Sequence, residues 1–259
     1  MQSLLKNINS AILDMDGVLW RSDIPLCDLN ILFQKFNDNS IKVVLASNNA
    51  TRTVDEVLEK ILKMGGRLEK WQIVTSGTAI CYLLKNKYPN GGSIFIMGTP
   101  ALKVTLEECG FYQSDIDPQA VVVGMDRELT YEKIKIASFF IRKGLPFYGT
   151  NPDPSYPTSQ GLEPGAGACI AAVQVASGIT PILAGKPNPY LFSVAMERLK
   201  TQPEKTLVIG DRLDTDILGG FRAGCKTALV LTGVSTREDL KDWSPQPDLI
   251  LENIMSLFL

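Results

Sequence analysis

Histidine is absent from all 259 residues. That gap excludes Ser-His-Asp triads, Cys-His nucleophile pairs and His-ligated zinc. Proton transfer near neutral pH then falls to carboxylates, lysine, tyrosine or cysteine. A basic surplus is missing too: 26 Lys and Arg stand against 28 Asp and Glu, a formal charge of −2. The chain has no electrostatic footprint for nucleic acid or anionic lipid. No apolar run reaches the ~18 residues that span a bilayer. Met1 to Ser10 lacks the apolar stretch and cleavage site of a secretion signal. A cytoplasmic protein without nucleic-acid or membrane partners is expected. Cysteines are sparse (Cys27, Cys81, Cys109, Cys169 and Cys225) and form no CxxC pair. Buried, reduced thiols are the expectation.

What is present is an ordinary globular balance, 45% apolar and 21% charged, with no repeat and no low-complexity segment. Short apolar runs at 10–14, 41–46, 73–75, 206–209 and 227–231 read as buried strands. Between them lie helical patterns. Residues 53–64 place Val54, Val57, Leu58, Ile61 and Leu62 on one face, the spacing of an amphipathic helix; 190–199 repeats it. Continuous apolar strands alternating with helices predict an α/β fold with a Rossmann-like parallel sheet covered on both faces. The middle has its own rhythm. It predicts strands at 93–97, 120–123 and 146–148 and helices at 100–109, 131–142 and 168–176, with a Pro/Gly-rich loop at 151–167. Turn signals near 89–92 and 177–181 bound this stretch. The reading is a core from residues 1–88 and 181–259, with a second α/β unit, 89–180, inserted in it.

Ligands in such sheets gather beyond the carboxyl ends of the strands, and the polar residues sit there. Asp14-Met15-Asp16-Gly17 follows the first run. Side chains two apart in an extended chain point the same way, and two carboxylates so close need a cation or proton between them. The same four residues also suit a solvated turn. Gly210-Asp211-Arg212-Leu213-Asp214-Thr215-Asp216 follows the fourth run. Carboxylates from separate strands suit Mg²⁺, and Asp216 could hydrogen-bond from behind the ligands, while Asp214 reads better as a helix cap. Ser47-Asn48-Asn49 could hold an oxyanion or cap the next helix. Lys186, between Gly185 and Pro187, could neutralise phosphate; alone it reads as a surface lysine in a turn.

The order of these elements is specific. A DxDG, a Ser-Asn, a Lys-Pro and a GDxxxTD, each at a strand end, resemble the haloacid dehalogenase-like hydrolase superfamily. DMDGVLW, SNNATRT, VVVGMDRELTY, NPDPSYPT, GKPNPY and GDRLDTDI resemble its large-cap branch, which includes the 4-nitrophenyl, phosphoglycolate and pyridoxal phosphate phosphatases. The resemblance implies an inserted α/β cap domain and a Mg²⁺-dependent phosphatase acting on a small phosphorylated metabolite. It implies Asp14 as nucleophile and Asp16 as general acid and base. Metal would be held by Asp14, Asp16 (through its carbonyl) and Asp211. Ser47, Asn48, Asn49 and Lys186 would bind the phosphoryl group. The loop from Asn151 to Tyr156 would select substrate, with Tyr156 as a contact, and the branch allows a homodimer through the cap. A phosphomutase-like transferase and a non-catalytic phosphometabolite binder are the alternatives.

Overall fold

The computed structural model describes residues 6–158 and 161–259. The chain opens with β1 (Ser10–Leu13), a small hairpin of β2 (Trp20–Arg21) and β3 (Ile24–Pro25), and α1 (Leu29–Asp38). Asp28 caps that helix by accepting from the Ile31 N–H at 3.0 Å. Then come β4 (Lys42–Ser47), α2 (Val54–Lys63) and β5 (Ile73–Thr75). The central stretch runs α3 (Ser76–Lys87), β6 (Gly92–Met97), α4 (Pro100–Glu108), β7 (Phe111–Gln113), β8 (Val121–Val123), α5 (Tyr131–Arg142) and β9 (Phe147–Gly149). It ends with β10 (Ser155–Thr158), β11 (Gly161–Pro164), α6 (Ala166–Ser177) and β12 (Ile182–Leu183). The chain closes with α7 (Tyr190–Leu199), β13 (Thr206–Gly210), α8 (Leu218–Arg222), β14 (Lys226–Val230) and β15 (Leu249–Leu251).

These elements form two compact units. The first gathers the chain up to Ser47, Val54–Val74 and Lys186–Leu259. Its six-stranded sheet has the order β15-β14-β13-β1-β4-β5, and β1 pairs in parallel with both β4 and β13. The register Leu13↔Leu45 and Leu13↔Ile209 aligns three strand ends, so Asp14, Ser47 and Asp211 emerge along one edge. Leu13, Leu45 and Ile209 are fully buried just beneath them, each contributing on the order of 2 kcal/mol by leaving water. The tips therefore stand on close-packed ground.

The second unit comprises Asn48–Thr53 and Thr75–Gly185. Its five-stranded sheet, β12-β9-β8-β6-β7, is parallel throughout. Helix α3 groups here, although the turn residues at 89–92 had suggested a later start. Leu102 and Thr105 of α4 lie against its Gly77, and Cys81 of α3 is joined by a disulfide to Cys109 at the end of α4. The expectation of reduced thiols throughout is corrected by this pair: spacing along the chain could not show that two packed helices bring the sulfurs together. Cys27, Cys169 and Cys225 are free thiols. The stretch read as a Pro/Gly-rich loop contains the antiparallel pair β10–β11, in register from Ser155↔Pro164 to Thr158↔Gly161. Among the described residues no helix is long and apolar enough to cross a membrane.

Candidate active site

The strand ends of the first unit converge on Lys186. Its Nζ donates to Asp14 Oδ1 at 2.5 Å, to Asp216 Oδ1 at 2.6 Å and to the carbonyl of Ala46 at 3.1 Å. The lysine is 3% exposed, so the reading of a surface turn is overturned. Burial by itself would depress its pKa, but Asp14 and then Asp216 hold the ammonium above the ordinary lysine range. The site thus keeps a fixed positive charge inside a shell of carboxylates.

Asp14, Asp211 and Asp216 each present a carboxylate oxygen within 4.8 Å of the others. Burial raises the pKa of Asp14 well above the usual carboxylate value; Lys186 opposes the shift, while Asp216 and Asp211 add to it. Asp211 is pushed up to about 6, chiefly by burial and then by Asp216. One ammonium does not balance this set, and such unrelieved repulsion is the condition a divalent cation removes. The donor set, all oxygen, suits Mg²⁺. Asp14 and Asp211 fit as ligands. Asp216 already accepts from Lys186 and, at 3.2 Å, from the Arg212 N–H, which suits it to holding the lysine.

Two glycines let the chain approach Asp211 this closely. A Cβ at Gly17 would fall 2.5 Å from Asp211 Oδ2, and one at Gly233 only 1.8 Å from it. Gly17 also has φ +84°, a left-handed conformation that glycine adopts without steric cost. The loop after β14 closes around the same carboxylate. The Val234 N–H donates to Asp211 Oδ2 at 2.7 Å, the Ser235 N–H to the Asp211 carbonyl at 3.0 Å, and Thr232 Oγ1 to the Gly17 carbonyl at 2.6 Å. Sequence reasoning missed this loop; the Thr232-Gly233 pair at a strand end was the available signal.

Asp214 lies on a π-helical turn, Leu213–Ile217, of the kind that often marks functional sites. Its carboxylate pairs with the Arg212 guanidinium at 3.0 and 2.8 Å, a bond that lowers its pKa. That corrects the helix-cap reading. Asp16 is exposed, and its Oδ1 accepts the Trp20 indole N–H at 2.9 Å. Ser47 is 6% exposed at the end of β4.

Asn48 and Asn49 belong to the second unit. The Asn48 amide donates to Asp153 Oδ2 at 3.1 Å. Its carbonyl accepts from Ser76 Oγ at 2.5 Å and Asn151 Nδ2 at 2.7 Å. The Asn49 side-chain oxygen accepts from the Thr51 N–H and hydroxyl at 2.8 and 2.7 Å. Tyr156 sits on β10, where its hydroxyl donates to Glu163 and accepts from Arg127 at 2.9 Å.

A Rossmann-like sheet whose strand ends gather three aspartates around a buried lysine, with an α/β unit inserted in the chain, defines a class of hydrolase cores. Residues 11–112 match the haloacid dehalogenase-like hydrolase family, and residues 183–257 match a second family described as HAD-hydrolase-like. An acid sugar phosphatase of Staphylococcus epidermidis is 33% identical over 238 residues, 92% of each chain. The crystal structure of a 4-nitrophenylphosphatase from Thermotoga maritima superposes with a TM-score of 0.92 at 34% identity, covering 98% of this chain and 97% of that one. A glycerol phosphate phosphatase from Mycobacterium tuberculosis, in complex with magnesium, gives 0.89 at 31% identity over 98% of this chain and 77% of its own. The chain belongs to the haloacid dehalogenase-like hydrolases, in their class IIA branch, and is a phosphatase acting on phosphoric monoesters.

Proposed function

We propose that this phosphatase hydrolyses small phosphorylated metabolites, sugar or glycerol phosphates among them, through an aspartyl-phosphate on Asp14. The observation that carries the reading is the buried Lys186 held between Asp14 and Asp216. The lysine fixes the Asp14 carboxylate at the strand tip and places positive charge where a transferring phosphoryl group accumulates negative charge.

An Asp14 oxygen attacks phosphorus, and the bond from phosphorus to the ester oxygen breaks. Asp16 gives its proton to that departing oxygen. It then takes a proton from the water that attacks the acyl phosphate, releasing inorganic phosphate and restoring Asp14. Lys186 and Ser47 hold the phosphoryl oxygens during both displacements. Asp14, Asp211 and the main-chain carbonyl of Asp16 would hold Mg²⁺, which when bound neutralises the carboxylates and the phosphoryl oxygens together.

The test is phosphate release from 4-nitrophenyl phosphate, glycerol phosphate, sugar phosphates, phosphoglycolate, nucleoside monophosphates and pyridoxal phosphate, with Mg²⁺ and with chelator. Release that requires Mg²⁺ is expected, and the ranking identifies the substrate class. Equal release in chelator would overturn the metal requirement. Passage of a labelled phosphoryl group to a second sugar instead of water would make the protein a mutase.

A further inference from the structure

Trp20 ends the first motif and has no part in the reaction as described above. It closes a tight turn: the Gly17 N–H donates to the Trp20 carbonyl at 2.7 Å, and the Leu19 N–H to the Met15 carbonyl at 2.8 Å. The indole is 2% exposed. Its Nε1–H donates to Asp16 Oδ1 at 2.9 Å. The ammonium of Lys60 lies 4.7 Å from the indole centroid, close enough for a cation–π attraction. Lys60 is itself held from α2, donating to the Ser22 carbonyl at 2.6 Å and lying 3.5 Å from Asp23. A rigid chain of contacts therefore runs from helix through buried ring to an exposed carboxylate.

An exposed aspartate on a turn has several rotamers, and ordering it costs side-chain entropy. A general acid must nevertheless meet the departing oxygen within a few tenths of an ångström. We propose that Trp20 is a positioning residue for Asp16: the indole N–H fixes Oδ1, so that Oδ2 carries the proton that is transferred. The oxygen that accepts the indole N–H is the better acceptor of the two, and the hydroxyl form falls on the other. As the bond from phosphorus to the ester oxygen breaks, the Oδ2 proton passes to that oxygen. Asp16 is left as a carboxylate with Oδ1 still bonded to Trp20. This inference rests on the assignment of Asp16 as general acid.

The indole should matter in proportion to how much the leaving group needs a proton. An alkoxide leaves poorly without one; 4-nitrophenolate leaves readily. Steady-state kcat/KM, which reports phosphoryl transfer to Asp14 and not the later hydrolysis, would be compared for glycerol phosphate and 4-nitrophenyl phosphate in the wild type, Trp20→Phe, Asp16→Asn and the double variant. Replacement of Trp20 by 3-benzothienylalanine keeps the bicyclic shape and removes only the N–H, guarding against loss of packing. The expected result is a kcat/KM loss on the order of tenfold greater for glycerol phosphate than for 4-nitrophenyl phosphate, part of what a general acid supplies. Trp20→Phe should add no further discrimination to Asp16→Asn. A benzothienyl enzyme with the wild-type ratio of the two rates would reduce Trp20 to packing and overturn the proposal. If Asp16→Asn itself shows no dependence on leaving group, the general-acid assignment fails and the proposal with it.

Discussion

Lys186 and Asp216 meet at 2.6 Å, their side chains 4% and 2% exposed. A buried charge pair persists only when both members have further partners. Here Asp14 and the Ala46 carbonyl complete the lysine, and the Arg212 N–H completes the aspartate. The lysine is thus aimed from behind by one carboxylate at another that does chemistry. Lys186→Met, which keeps the length and loses the charge, should lower kcat/KM on the order of 10²-fold, as loss of one charge-stabilising donor does. Steady-state kinetics on the preferred ester checks this; an unchanged kcat/KM in the folded variant would remove Lys186 from the reaction.

Asp211 links pH to stability. Its pKa stands at about 6 against an ordinary 3.8, so the folded protein binds this proton more tightly than the unfolded chain. The stabilisation is fully present below the ordinary value and is lost as pH rises through about 6. The midpoint of thermal unfolding in chelator should therefore fall as pH rises from about 4 to above 6. Saturating Mg²⁺ should flatten that fall, since a cation favours the ionised carboxylates. Superimposable pH profiles with and without Mg²⁺ would show that Asp211 does not face the metal.

The Cys81–Cys109 disulfide spans a sequence separation of 28 residues. Closing a loop of that length stabilises a fold by about 3–4 kcal/mol in the chain-entropy account. Replacing both cysteines by serine should lower the denaturant midpoint of the second unit, and reductant should do so in the native chain but not in the variant. Cys225 offers an internal control. Burial pushes its thiol up to about 12, so it should react slowly with thiol reagents at neutral pH. A reductant-independent midpoint in the native chain would mean that the pair does not form.

Much of the site was legible because its residues stand at the ends of apolar runs. The pattern around Asp14, Ser47 and Asp211 reports a parallel sheet, and in a parallel sheet strand ends must lie side by side. Relations that depend on how distant segments pack were not legible. Lys186 reads as a turn residue until Asp14 and Asp216 are seen to surround it. Asp214 and Asp216 are two apart, yet one is exposed and tied to Arg212 while the other is buried on Lys186. The π-helical turn that separates them has no signature in periodicity. The closing loop at 232–235 and the disulfide escaped for the same reason: their partners are remote in sequence.

On this mechanism every phosphoryl group passes through Asp14. Asp16→Asn should slow hydrolysis of the acyl phosphate, because the water loses its base. With 4-nitrophenyl phosphate, which leaves without help, this variant should accumulate phosphorylated enzyme. The decisive measurement is acid quench of that mixture, followed by mass spectrometry of the peptide containing residue 14. Phosphate is expected on Asp14 at near one equivalent per chain, and none in Asp14→Asn, which should also be inactive. Turnover by Asp14→Asn, or an unmodified peptide while Asp16→Asn still releases 4-nitrophenol in a burst, would contradict it.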